Sequence, residues 1–168
     1  MSEPSLPARA GRIWRFGDDI DTDAMAPAVW MKAAPEVLAS HCLESVRAEF
    51  PGQVRAGDVV VAGANFGIGS SREQAPQALR QLGVQAVVAP SFGGLFYRNA
   101  INLGLPVLVC PDTSRLADGA AARVDLDNAV LLLDDSTTVA CEPVPAFLRK
   151  ILSAGGLIPH LQARLARG

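Results

Sequence analysis

Between Asp58 and Cys110 the chain repeats one pattern: a short apolar run, a glycine-bearing joint, an amphipathic stretch, then the next run. Asp58-Val59-Val60-Val61-Ala62 is continuously apolar after its first residue, as a strand buried on both faces requires. Val84 to Ala89 and Pro106 to Cys110 follow the same rule. Between them, Ala75, Ala78, Leu79 and Leu82 fall at helical spacing and close at Gly83. Phe92, Leu95, Phe96 and Leu103 do the same and close at Gly104. Strand, helix, strand, helix, strand with such short joints argues a parallel sheet with right-handed crossovers.

The flanks read differently. Ile13, Trp14 and Phe16 suggest a short strand before the acidic loop Asp18-Asp19-Ile20-Asp21-Thr22-Asp23. Leu38, Cys42, Leu43, Val46 and Phe50 predict a helix over about 35–49, with Pro35 in its first turn and Pro51-Gly52 as its stop. Arg123–Leu126 and Val130–Leu133 flank Asp127-Asn128 as a β-hairpin, and Thr137–Cys141 adds a strand. A short helix through Phe147, Leu148, Ile151 and Leu152 breaks at Gly155-Gly156, and Leu157, Ile158, Leu161 and Leu165 mark a last one. The expected class is α/β, with parallel central strands and β-rich flanks. No repeat or linker divides the chain, so a flexible lead-in over 1–10 and a single domain over 11–168 are expected.

Composition narrows the function. Charged residues are 19% against 49% hydrophobic, the reverse of a disordered chain. So low a charge also hints at surface covered by another protein. The net charge of −2 and the lack of a basic stretch speak against nucleic acid as a partner. No apolar run approaches the roughly 18–20 residues of a membrane span, and Met1 to Arg12 lacks a signal peptide's apolar core. Cys42, Cys110 and Cys141 form no C-x-x-C and suggest neither a zinc nor an iron–sulfur site. Reduced thiols and a cytoplasmic location are expected.

The chemistry concentrates in Gly63-Ala64-Asn65-Phe66-Gly67-Ile68-Gly69-Ser70-Ser71-Arg72-Glu73, directly after the first parallel strand. Ligands of open α/β sheets bind at that end of the strands. Glycines permit close backbone approach, a helix N-terminus favours anions, and arginine grips a carboxylate with two parallel bonds. A small carboxylate or phosphate is the ligand this implies. A second reading is structural: Ser70 and Glu73 fit a capping box. Pro76 works against that, since a proline inside a helix costs about 3 kcal/mol, and moves the helix start toward Pro76. Dinucleotide, P-loop and nucleophile-elbow patterns all fail, because Arg72 stands at the third glycine position and neither Gly-Lys-Ser/Thr nor G-x-S-x-G occurs. Asp19, Asp21 and Asp23 alternate like half a calcium loop, but Ala24 and Trp30 occupy its glycine and glutamate positions, so a turn bonding its own backbone is expected. His41 and His160 read as structural or exposed.

The run Asn65-Phe66-Gly67-Ile68-Gly69-Ser70-Ser71-Arg72-Glu73 resembles the active-site loop of the swivelling domain of the aconitase superfamily. Asp19-Ile20-Asp21-Thr22-Asp23 with Pro27, Ser91-Phe92 through Gly104-Leu105-Pro106, and Phe147-Leu148 through Gly155-Gly156-Leu157 resemble three further motifs. The likeness spans about residues 11–166 and is greatest to the free-standing small subunits of the 3-isopropylmalate dehydratase and homoaconitase type. It implies a swivelling β/β/α fold and a hydro-lyase active only with a large subunit. That partner would hold a 4Fe–4S cluster, and this chain would bind no cofactor or metal. The implied reaction isomerises 2-isopropylmalate to 3-isopropylmalate by dehydration and rehydration, a step of leucine biosynthesis. A homoaconitase-like or other hydroxy-dicarboxylate dehydratase is the alternative, with a non-catalytic anion-binding module behind it. By resemblance Ser70 is the base, Arg72 clamps a substrate carboxylate, Ser71 assists binding, and Gly67 and Gly69 lend loop backbone. Lys32 falls where relatives that take an isopropyl group carry an apolar residue and those that take a third carboxylate carry arginine. Two departures stand out: Gln74 replaces a usual histidine, and Gly93-Gly94 replaces a common Ala-Arg.

Overall fold

The computed structural model describes residues 10–167, and it sets the valine-rich runs side by side in one sheet. All but the last residue of the expected lead-in lies outside the described residues. In chain order the elements are β1 (Gly11–Arg15), α1 (Thr22–Met25), a 3-10 turn (Ala28–Trp30), α2 (Pro35–Ala39), α3 (Phe50–Gln53) and β2 (Val59–Val61). Then come α4 (Gln74–Gln81), β3 (Ala86–Ala89), α5 (Gly94–Asn102), β4 (Val107–Val109), β5 (Ala121–Asp125), β6 (Val130–Leu133), β7 (Thr138–Ala140), α6 (Ala146–Ala154) and α7 (Leu157–Arg167).

The sheet order is β4-β3-β2-β1-β5-β6-β7. The first four strands are parallel, with Val60 in register with Trp14 on one side and Val87 on the other. β5, β6 and β7 continue antiparallel from β1. Val59 to Ala62 and Val87 to Ala89 are fully buried, as crossover helices on a parallel sheet demand. The two ends of this order meet: the Glu142 N–H, just past β7, donates to the Val109 carbonyl of β4 at 2.7 Å.

One buried carboxylate closes the strand base. Asp58 is 6% exposed and accepts from the Arg12 N–H at 3.0 Å, the Trp14 indole N–H at 2.9 Å and the Arg55 N–H at 2.9 Å. Three donors make such a burial tolerable. Trp14 itself packs edge-on to Phe50, ring centroids 5.2 Å apart.

The helix expected over 35–49 is a correction. Pro35 does open α2, but α2 ends at Ala39. The Leu43 N–H turns away to the Ala24 carbonyl at 2.8 Å, and Leu43 takes φ +61°. Leu38, Cys42, Leu43 and Phe50 are nonetheless buried and Val46 is exposed, so the apolar spacing marked the inward side at four of its five positions and helix continuity wrongly. Pro51-Gly52 lies inside α3 instead of stopping a helix.

Candidate active site

Three loops gather at the C-terminal ends of β1, β2 and β3. The loop after β2 is bonded on one side to the loop after β1, through Asp19 N–H to Ala64 O at 2.8 Å and Gly67 N–H to Ile20 O at 2.7 Å. On the other side it meets the loop after β3, through Phe66 N–H to Ser91 O at 3.1 Å and Gly93 N–H to Phe66 O at 2.8 Å. Phe66 is the anchor: fully buried, it packs edge-on against Phe96 of α5 with centroids 5.3 Å apart. Gly67 follows at φ +84°, and a Cβ there would lie 2.3 Å from the Phe96 ring. Glycine is therefore required twice over, by conformation and by space.

Past Gly69, at φ +102°, the chain presents Ser70 and Ser71 to solvent. Neither caps a helix. α4 begins at Gln74 with Glu73 as its N-cap in a helical conformation and no side-chain cap bond. The capping box is thus overturned, while the helix does start near Pro76, which falls within the first turn where its missing N–H costs nothing. The hydroxyls remain available: Ser71 Oγ accepts only a long bond from Asn99 Nδ2 at 3.4 Å, and Ser70 Oγ has no partner among the described residues. The amide N–H groups of Gly69, Ser70 and Ser71 likewise find no acceptor there.

The acidic segment braces this lip. Thr22, buried, donates its hydroxyl to the Ser70 carbonyl at 2.8 Å, and its N–H goes to the Ile68 carbonyl at 2.9 Å. Asp21 bonds its own backbone, accepting from the Ala24 N–H at 2.8 Å as the N-cap of α1. Asp23 does something the sequence reading did not foresee. Its carboxylate accepts from Arg72 Nη1 at 2.8 Å, and the same nitrogen donates to the Ala26 carbonyl at 2.9 Å. The Arg72 hydrogen bond is the main reason the Asp23 carboxyl lies below its ordinary range. A guanidinium has five N–H donors. Nη1 uses its pair here, and Nε and Nη2 have no acceptor among the described residues. That edge can hold a carboxylate in a bidentate fork.

Ser70, Ser71, Arg72, Gly67 and Gly69 therefore converge on one lip. Lys32 is exposed, two residues beyond the 3-10 turn, and makes no bond among the described residues. Nearby, Trp30 stacks on His41 with ring centroids 3.9 Å apart, and His41 Nδ1 lies 2.9 Å from Glu44, which gives His41 a structural part. The depression beside the lip is lined by Asp19, Asp21, Asp23 and Val46, without Ser70 or Arg72. Three carboxylates make it a poor home for an anion.

No cluster of metal-ligating side chains occurs among the described residues. The three thiols do not suit an iron–sulfur cluster. Cys42 is wholly buried, and burial pushes its thiol up, while Cys110 and Cys141 are turned to each other elsewhere. Thr22, Asp23 and Asn99 are the residues sequence reasoning missed. All three lie in segments that resemble family motifs, and Asp23 carried the further signal of an acidic neighbour for an arginine that follows a glycine loop.

The family model of the aconitase C-terminal domain matches residues 27–112. A 3-isopropylmalate dehydratase small subunit of Syntrophus aciditrophicus is 46% identical, over 94% of this chain and 98% of that protein. A methanogen homoaconitase small subunit of Methanocaldococcus jannaschii is 45% identical, over 92% and 91%. Among solved structures, a 3-isopropylmalate dehydratase from the same organism superposes with a TM-score of 0.88 at 44% identity, over 94% of this chain and 95% of that one.

Proposed function

The chain belongs to the family of 3-isopropylmalate dehydratase small subunits, within the aconitase superfamily, and on that premise we propose that it supplies the base and the carboxylate grip of a two-subunit hydro-lyase. The substrate of this reading is 2-isopropylmalate, converted to 3-isopropylmalate in leucine biosynthesis. Ser70 takes the proton from the carbon beside a carboxylate while the C–O bond on the neighbouring carbon breaks and the hydroxyl leaves, protonated, as water. When water adds back in the opposite sense, the hydroxyl goes to the first carbon and Ser70 returns its proton to the neighbour. Arg72 holds a substrate carboxylate through Nε and Nη2, and Ser71 adds a hydroxyl.

The observation that carries the reading is the pairing of Arg72 with Asp23 beside two hydroxyls that cap nothing. A capped turn would have consumed Ser70. Serine is a weak base unless its oxyanion is stabilised, and the unpaired N–H groups of Gly69 to Ser71, together with Arg72, are donors suited to that. Such donors act strongly only where water is excluded. On this chain Ser70 and Ser71 are open to solvent, so the cover must come from a second polypeptide. Val29, 81% exposed, and Leu95, 52% exposed, offer apolar surface for it. The resemblance assigns a 4Fe–4S cluster to that large subunit, and the thiols of this chain do not fit one. Among the described residues no helix is long and apolar enough to cross a membrane. A cytoplasmic location accords with the unbridged thiols.

A homoaconitase-like substrate is the second reading, favoured by the unpaired cation of Lys32, which would suit a third carboxylate. Reconstitution with the cognate large subunit tests both. The first reading expects isomerisation of 2-isopropylmalate by the complex and none by either subunit alone. Preference for homoaconitate would select the second.

A further inference from the structure

Cys110 and Cys141 are far apart in sequence and lie at opposite ends of the strand order, one just after β4 and the other just after β7. The seam brings them together. The backbone bond from Glu142 to Val109 joins the two strand ends. One residue along the chain from that bond stand Cys110 and Cys141, whose thiols interact. A disulfide needs Cα atoms about 4.4–6.8 Å apart, a span that two strand ends joined by a backbone hydrogen bond can meet. The Cys110 thiol also reaches the carbonyls of Ala140, at 3.5 Å, and Asp112, at 3.3 Å.

We propose that Cys110 and Cys141 form a reversible disulfide across this seam, with a peroxide as the oxidant. Contact with the Cys141 S–H stabilises the Cys110 thiolate and draws that thiol down to about 7, while the same contact pushes Cys141 up. The thiolate is the reactive form, so Cys110 attacks first. Its sulfur bonds one peroxide oxygen, the O–O bond breaks, and the departing hydroxide takes a proton to become water. Cys110 is now a sulfenic acid, oxidised by two electrons. The Cys141 sulfur then attacks Cys110, the S–S bond forms, the S–O bond breaks, and hydroxide leaves with the Cys141 proton as a second water. Overall two thiols and one hydrogen peroxide give one disulfide and two waters, and an external dithiol reverses the bridge. Cys110 is as fully buried as Cys42, and the half-buried Cys141 beside it is the pair's exposed side. Cys42 has no second thiol beside it among the described residues and its thiol is pushed up by burial, so it takes no part. The bridge closes the span from β4 through the hairpin to β7, a loop of roughly 30 residues, and so tightens the unfolded chain.

The test oxidises the full chain with stoichiometric hydrogen peroxide, alkylates remaining thiols and maps the peptides by mass. The expected result is one intramolecular bridge joining the Cys110 and Cys141 peptides, with Cys42 still alkylated. The thermal midpoint should rise by several degrees and fall back on reduction with dithiothreitol. A bridge elsewhere, three alkylatable thiols after treatment, or sulfinic acid at Cys110 without a bridge would overturn the proposal. Cys141→Ser, at the half-buried position, is the second arm. It should accumulate a sulfenic acid at Cys110, trapped by a cyclic 1,3-dione, and show no rise in midpoint. An equal rise in Cys141→Ser would also overturn it.

Discussion

Arg72 Nη1 and Asp23 Oδ1 stand 2.8 Å apart, and this bond, with the one from the same nitrogen to the Ala26 carbonyl, ties an arginine of the β2 loop to the helix that follows β1. It orients a guanidinium whose remaining edge faces no protein acceptor among the described residues. A binding group held by a second residue is pre-organised, and its loss should show first in substrate binding.

Asp23→Asn should therefore raise KM about 3–10-fold and change kcat less, measured by steady-state kinetics of the complex. Thermal stability should move little, because the Asp23 side chain is 63% exposed and exposed pairs contribute under about 1 kcal/mol. The pH dependence has a definite sign. Arg72 lowers the Asp23 carboxyl, so the interaction is fully present above the ordinary carboxylate value of about 3.9 and is lost as acid carries the pH through the lowered one. Any Asp23-dependent rise in KM belongs below about pH 4, and Asp23→Asn should abolish it.

Gly67→Ala should destabilise by about 2–4 kcal/mol, since the added methyl meets Phe96 at φ +84°. Gly94→Ala is the matched control. It has open space and opens α5, so it should be neutral or slightly stabilising. Urea unfolding monitored by circular dichroism checks both.

Asp58→Ala strips the Trp14 indole and two backbone N–H groups of their acceptor. A loss of about 3–5 kcal/mol is expected. Equilibrium unfolding followed by tryptophan fluorescence would report it.

Lys32→Leu should leave turnover of 2-isopropylmalate within about threefold, because Lys32 is exposed and braces nothing. Hydration of homoaconitate-type acids should fall about tenfold or more if the cation meets a third carboxylate. The ratio of the two kcat/KM values is the readout.

The centre of the fold was legible because β2, β3 and β4 are short valine-rich runs between glycine joints, a pattern few other arrangements satisfy. The hairpin of β5 and β6 was legible for the local reason that Asp127-Asn128 punctuates two apolar runs. The stretch after Pro35 was not, since the Leu43 N–H finds its acceptor in Ala24, a contact helical spacing cannot foresee. In the site, the glycines and Ser70-Ser71-Arg72 announced themselves by type and order. The props behind them, Thr22, Asp23 and Asn99, come from other loops, and only folding makes them neighbours. The same holds for Cys110 and Cys141, which meet because opposite ends of a seven-stranded sheet return to one seam.

The most direct measurement is the kcat of the reconstituted two-subunit complex carrying Ser70→Ala. Its hydroxyl bonds nothing among the described residues, so folding and subunit association should survive the change. The account predicts a loss on the order of 100-fold or more in kcat, with KM altered only a few-fold. A Ser70→Ala complex that turns over 2-isopropylmalate at the full rate would contradict it.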